Sequence, residues 1–237
     1  MSIGEKNMKE ALKFSFPKTM PIMAGYLFLG ASFGILAVSQ GISPLITALM
    51  SLLIFAGSMQ FAAVNILQAS FNPIGALMLT LMVNARHIFY GITMLKPYSH
   101  MDWKKYYTIF GLTDETFSLN VSLEIPELIN KNWVYFFITG LNQLYWVLGT
   151  IIGILLSNLI SFNTEGIEFV LTALFVTIFV EQWLSTDDHT SALTGLIAAI
   201  ISLMLFGPDN FLIPAMIAII VFFLLQYVKA GNKVYDA

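Results

Sequence analysis

The chain contains no cysteine, which excludes disulfide scaffolds, thiolate catalysis and cysteine-ligated metal. Charge is scarce: 11% of its 237 residues are Asp, Glu, Lys or Arg, where soluble domains carry about a quarter. The net charge of -3 comes with no basic run, so the electrostatic footprint of nucleic-acid binding is missing. No G-x-x-x-x-G-K phosphate loop occurs, so the chain has no such means of using ATP. What fills the space is apolar. Hydrophobic residues make up 57%, with 20 phenylalanines and 12 methionines. This composition specifies an all-α polytopic membrane protein, a single integral membrane domain over residues 1–237.

A transmembrane helix needs about 20 mostly apolar residues. Candidate spans are Thr19–Val38, Leu45–Ala69, Ile74–Leu95, Trp133–Ile160, Gly166–Leu184, Thr190–Phe206 and Asp209–Val228. Pro17, Pro21, Pro44, Pro73 and Pro208 stand at or just inside span starts, where a missing amide proton costs least. The first apolar run is too long for a cleavable signal and lacks its small-residue site. Lys6, Lys9, Lys13 and Lys18 precede the first span, and Lys229 and Lys233 follow the last. An excess of lysine marks cytoplasmic segments, so residues 1–18 and 229–237 are expected in the cytoplasm.

Lys96, Lys104 and Lys105 do not fit this simple count, because the intervening spans would put them outside. Either Leu45–Ala69 is re-entrant, or the weak segment Tyr106–Leu123 also crosses. The expectation is therefore seven or eight transmembrane helices, with the balance leaning to eight and one segment broken or re-entrant in the other case. Gly30-Ala-Ser-Phe-Gly34 and Gly149-Thr-Ile-Ile-Gly153 permit close helix approach and read as packing within the chain.

The polar residues inside these runs are the candidates for chemistry. Arg86 lies roughly 18 Å along Ile74–Leu95 at 1.5 Å per residue, near mid-membrane. An arginine at that depth costs about 2.5–3.5 kcal/mol to insert, so it faces an interior and takes partners. Two readings stay open: a buried ion pair that fixes helix register, or a carboxylate site using the two-pronged guanidinium. Asn84 and His87 share one face of this helix; His87 is either a proton carrier or a neutral hydrogen-bonder. No metal-ligand spacing accompanies it.

Asp114 and Glu115 are the plausible opposite charges for Arg86 or for a substrate ammonium. They also suit the first turn of a helix capped by Thr113. Beyond them, Phe117, Leu119, Val121, Leu123 and Ile125 alternate with polar residues, a strand-like period without a partner strand. Ser58 and Gln60, in "FAGSMQF", suit an unwound segment over a cavity or simple close packing. Asn142 and Gln143 could line the same cavity. Glu181 lies near a span end and could simply reach water there, and Asp187, Asp188 and His189 read as a loop that caps the next helix.

Four stretches together, "FPKTMPIMAGYLFLGASFGILAVSQG", "SLLIFAGSMQFAAVNIL", "LMVNARHIFYGITML" and "FGLTDETFSL", resemble the AzlC-type permeases, the larger component of bacterial branched-chain amino acid exporters. The resemblance is dense from Phe16 to Leu119 and weakens to hydropathy and span order beyond. It implies export of leucine, isoleucine, valine and similar neutral amino acids, with methionine a further candidate. It also implies the bacterial cytoplasmic (inner) membrane, a small AzlD-type membrane subunit as partner, and no cofactor. It adds weight to Asn84, Arg86, His87, Asp114 and Glu115, and assigns nothing to Glu181.

The resulting expectation is a secondary transporter driven by an ion or proton gradient. Arg86 would take the substrate carboxylate and Asp114 or Glu115 its ammonium, with Asn84, Ser58 and Gln60 lining the site. His87, Asp114 and Glu115 are the candidate proton carriers. Two other classes are weighed against it. One is an ion channel or passive pore, the other an intramembrane hydrolase built on Ser58 and His87.

Overall fold

The computed structural model describes residues 3–68, 72–159, 176, 179–180, 183–184, 186–208 and 211–235. Every regular element among them is a helix. The chain divides into two compact units, Met1–Leu171 and Thr172–Ala237.

The frame of the first unit is a pair of long helices, α1 (Ile3–Ser39) and α8 (Lys131–Leu159). Both contain stretches long and apolar enough to cross a membrane. Their contacts show that they run parallel. The Ser15 hydroxyl lies 3.4 Å from the Val134 carbonyl, Gly30 abuts Trp146 and Thr150, and Gly34 abuts Thr150 and Ile154. The two small-residue motifs face each other so closely that added side chains would not fit. A Cβ at Gly30 would stand 2.7 Å from the Trp146 carbonyl oxygen, and one at Gly149 2.7 Å from that of Leu27. Pro17 and Pro21 lie inside α1, not at its start as the sequence suggested. A membrane helix tolerates this where neighbouring hydroxyls take up the disturbed backbone. Here Ser15 bonds the Ala11 carbonyl, and Thr19 bonds the Phe16 carbonyl and the Tyr145 hydroxyl.

Leu45–Ala69 is broken. Helix α2 (Pro44–Leu53) opens on the Ser43 cap with proline in its first turn, and α3 begins at Gly57 and runs to Gln68. Between them Phe55 adopts φ 45°, a left-handed terminus that normally takes glycine. Its ring is lodged edge-on against Tyr26 and beside Gly111, which ties the strained residue into the core. The unwinding thus falls at Ile54–Ala56, just ahead of the Gly57–Gln60 stretch that composition pointed to.

The chain then turns back. Ser51 meets Thr150, the Leu52 carbonyl accepts from Gln143, and Phe55 reaches the level of Gly111. Along α3, Phe61 packs on Phe33 and Gln68 bonds the Gln40 carbonyl at the far end of α1. Helices α2 and α3 therefore form a hairpin that descends from the Gln40 end and returns to it.

A second hairpin faces the first. Helix α6 (Lys104–Phe110) starts with the Lys104 ammonium 4.5 Å from the Trp133 ring and advances until Gly111 packs on Thr139. Helix α7 (Asp114–Ser122) returns, with Thr116 beside Asn142 and Leu119 and Leu123 packed around Val134 and Ile138. Tyr106–Leu123 accordingly folds back on itself instead of running through as one helix, against the lean of the lysine arithmetic. The alternation after Asp114 is explained too. Phe117 stacks on Tyr90 at 4.2 Å, Leu119 and Leu123 share one helical face, and Val121 points outward.

Ile74–Leu95 supplies the passage between the two ends. Helix α4 (Pro73–Asn84) begins near the return of α3, and α5 (Arg86–Ser99) ends where Tyr98 meets Asn120 and Tyr135. The break between them falls at Ala85, where the Ile88 N–H donates three residues back to the Ala85 carbonyl. Lys96, Lys104 and Lys105 consequently gather at the end of the unit where α8 begins, together with Lys131 and the N-terminal part of α1. This predicts that Ser39→Cys and Ser99→Cys, both at exposed positions, react with an impermeant thiol reagent from opposite sides of the membrane. Labelling of both from one side would contradict the single passage through α4 and α5.

The second unit contains α9 (Thr190–Phe206) and α10 (Leu212–Tyr235), which pack together. Asp188 accepts the Thr190 N–H at 2.9 Å, the loop and cap expected of the Asp187–His189 stretch. Glu181 and most of Gly166–Leu184 lie outside the described residues.

Candidate functional site

The starts of three helices converge between the hairpin tips. Arg86 opens α5, Ser58 sits in the first turn of α3, and Asp114 and Glu115 open α7. The start of α7 is capped, its Thr116 N–H being taken by Thr113 Oγ1, and α5 follows α4 after a break of one residue at Ala85. The Arg86 guanidinium bonds Asp114 Oδ2 at 2.8 Å through Nη2, and the same nitrogen donates to Ser58 Oγ at 3.3 Å. Both sides of the ion pair keep about a quarter of their side-chain surface open, 29% for Arg86 and 24% for Asp114. Yet Arg86 Nε and Asp114 Oδ1 are buried without a hydrogen-bond partner. Buried polar atoms are rarely left so. The pair therefore holds one unpartnered donor and one unpartnered acceptor.

Thr113 caps α7 by accepting the Thr116 N–H at 3.3 Å, so the structural role expected of this turn is present alongside the ion pair. Glu115 takes a different partner, accepting from the Tyr26 hydroxyl at 2.5 Å; that hydroxyl also lies 2.8 Å from Thr113 Oγ1. His87 turns Nδ1 toward the Asn84 carbonyl at 3.2 Å. A carbonyl only accepts, so this bond places the proton on Nδ1. Ser58 is engaged by Arg86 and His87 by backbone, and among the described residues no hydrogen bond joins Ser58 to His87 as a hydrolase dyad would need. Asn84 contributes its carbonyl to this arrangement.

Gln60 is not brought to the ion pair. It is fully buried, its Oε1 accepts from Trp146 Nε1 and the Ala56 N–H, and its Nε2 donates to Ser51. Asn142 and Gln143 brace the hairpins against α8 through Thr116, Tyr107 and the Leu52 carbonyl. Sequence reasoning missed Tyr26 and Thr116. A lone tyrosine midway along an apolar span was the available signal for the first.

The AzlC protein family model matches residues 21–160. The chain is 53% identical over 89% of its length to the "Branched-chain amino acid transport protein AzlC" of Bacillus subtilis, covering 83% of that protein. It is 42% identical to an "Uncharacterized membrane protein" of Haemophilus influenzae over 98% of both chains. It is 26% identical to the "Inner membrane protein YgaZ" of Escherichia coli over 77% of this chain and 78% of that one. No solved structure matches. The matched region holds α1 from residue 21 onward and α2 to α8, with both hairpins and the Arg86–Asp114 pair, and the chain belongs to the AzlC family of membrane transport proteins.

Proposed function

We propose that the chain is a secondary transporter that exports branched-chain and related neutral amino acids from the bacterial cytoplasm. It works with a small AzlD-type membrane subunit, both termini are cytoplasmic, and an ion or proton gradient drives it. The observation that carries the site assignment is the Arg86–Asp114 pair, held at the hairpin tips with Nε and Oδ1 unused. A zwitterion presents a carboxylate and an ammonium a few ångströms apart. Arg86 Nε suits the carboxylate, and Asp114 Oδ1 suits the ammonium. The stacked Tyr90 and Phe117 rings next to the pair provide an apolar wall for a branched side chain. Discontinuous helices whose ends meet at mid-membrane are the usual construction of such substrate sites.

The test is export itself. Cells lacking their own exporters are loaded with a leucine-containing dipeptide, and intracellular leucine is followed with this chain alone and with the small subunit. Saturable clearance that competes with valine and isoleucine is the expected result. Conductance without saturation or competition would favour a passive pore instead.

A further inference from the structure

Of the two adjacent carboxyls, Asp114 is tied to Arg86, while Glu115 forms no ion pair among the described residues. Removing the charge of Asp114 strands a guanidinium at membrane depth. Removing the charge of Glu115 strands nothing. Its Oε2 is held at 2.5 Å by the Tyr26 hydroxyl, on a residue only 4% exposed. From Tyr26 a line of hydroxyls continues, to Thr113 Oγ1 at 2.8 Å and from Thr113 to Thr116 Oγ1 at 3.0 Å. Asn142 Nδ2 closes the line on Thr116 at 2.9 Å, from a fully buried side chain whose Oδ1 has no partner.

We infer that Glu115 is the group that exchanges the coupling proton, and that Tyr26 communicates its protonation state to the tip of α7. The inference rests on the transporter reading above. With Glu115 ionised, the Tyr26 O–H donates to it. When Glu115 gains a proton, its own O–H donates to the Tyr26 oxygen, and the Tyr26 hydrogen turns to Thr113 Oγ1. Tyr26 stays neutral throughout, and one proton enters and later leaves the carboxyl. Thr113 is the cap of α7, and Asp114 is the next residue. A changed hydrogen bond at Thr113 therefore acts on the turn that presents Asp114 to the substrate.

The other titratable or charged groups around Glu115 are Asp114 on its own helix and Arg86, His87 and Tyr90 on α5. From α8, Asn142 and Gln143 face the hairpin, and the Tyr145 hydroxyl is engaged by Thr19. His87 is set aside because no hydrogen bond among the described residues links it to the α7 turn.

The full chain in proteoliposomes tests this, with radiolabelled leucine as probe. Counterflow without a gradient is compared with accumulation under imposed pH gradients of either sign. For Glu115→Gln, gradient-driven accumulation is expected to fall about tenfold or more beyond any fall in counterflow. Glu115→Asp restores part of the gradient response, and Tyr26→Phe weakens it. Gradient-driven accumulation by Glu115→Gln at the wild-type ratio to counterflow would overturn the proposal. So would an equal loss of both activities in a monodisperse, membrane-inserted variant. Absence of counterflow in the wild-type chain would instead overturn the transporter reading, and this inference with it.

Discussion

Arg86→Ala lowers leucine transport by roughly one to two orders of magnitude, the expectation for losing one charged hydrogen bond worth about 1.5–3 kcal/mol. The same substitution leaves Asp114 uncompensated, so a fall in activity alone does not separate binding from folding. The double variant Arg86→Ala/Asp114→Ala does. It removes both charges, and mutual neutralisation predicts that its level in the membrane recovers relative to Arg86→Ala. Its transport should not recover, because the substrate carboxylate still has no cation. Arg86→Lys keeps the charge but loses the fork, and intermediate transport is expected of it. Measured uptake and membrane abundance for the three variants decide the matter. Wild-type transport by the double variant would reduce the pair to a device for helix register.

A comparably large effect on stability is expected at the contact of α1 with α8. Gly153 faces Ala31 and Gly34 faces Thr150 so closely that a Cβ at either would collide with main-chain carbonyl oxygens, which cannot rotate away. Overpacking of this kind costs typically about 1–3 kcal/mol and more where backbone must shift. Gly153→Leu is therefore expected to separate the two helices and abolish assembly. Gly153→Ala should lower the melting temperature in detergent by several degrees. Gly25 lies on α1 with nothing near its Cβ position. Gly25→Ala should change little, or stabilise by up to about 1 kcal/mol through helix propensity. Equal melting curves for Gly153→Ala and Gly25→Ala would contradict the close approach.

Charge logic pointed from sequence to Asp114 or Glu115 as the opposite charge for Arg86, because a mid-membrane guanidinium must find oxygens and few are within the apolar runs; Ser58 was read only as a lining residue. That logic did not separate Asp114 from Glu115, since adjacent carboxyls look alike until their partners are known. Gln60 was read as a lining residue for a similar reason. An amide at depth needs partners, and sequence does not say that Trp146, Ser51 and the Ala56 N–H supply them. The hairpins were only partly legible. An apolar run of about 20 residues satisfies the bilayer whether it crosses or turns back; Gly57 marked the first break to within two residues, while the left-handed residue itself is Phe55. The lysine count did register a conflict, and the paired hairpins supply its geometric resolution.

The bracing of the first hairpin has a consequence for biosynthesis. Ser51 and its partner Thr150 are 99 residues apart, Leu52 and Gln143 are 91 apart, and Gln60 and Trp146 are 86 apart. At ribosomal speeds of about 5–20 residues per second, the α2–α3 amides and hydroxyls wait roughly 5–20 s for α8 to be made. During that interval they sit in or beside lipid without their final partners, where each unsatisfied group is costly. The nascent chain must hold this hairpin at the water interface, or in the shelter of the insertion machinery, until the eighth helix arrives to receive it.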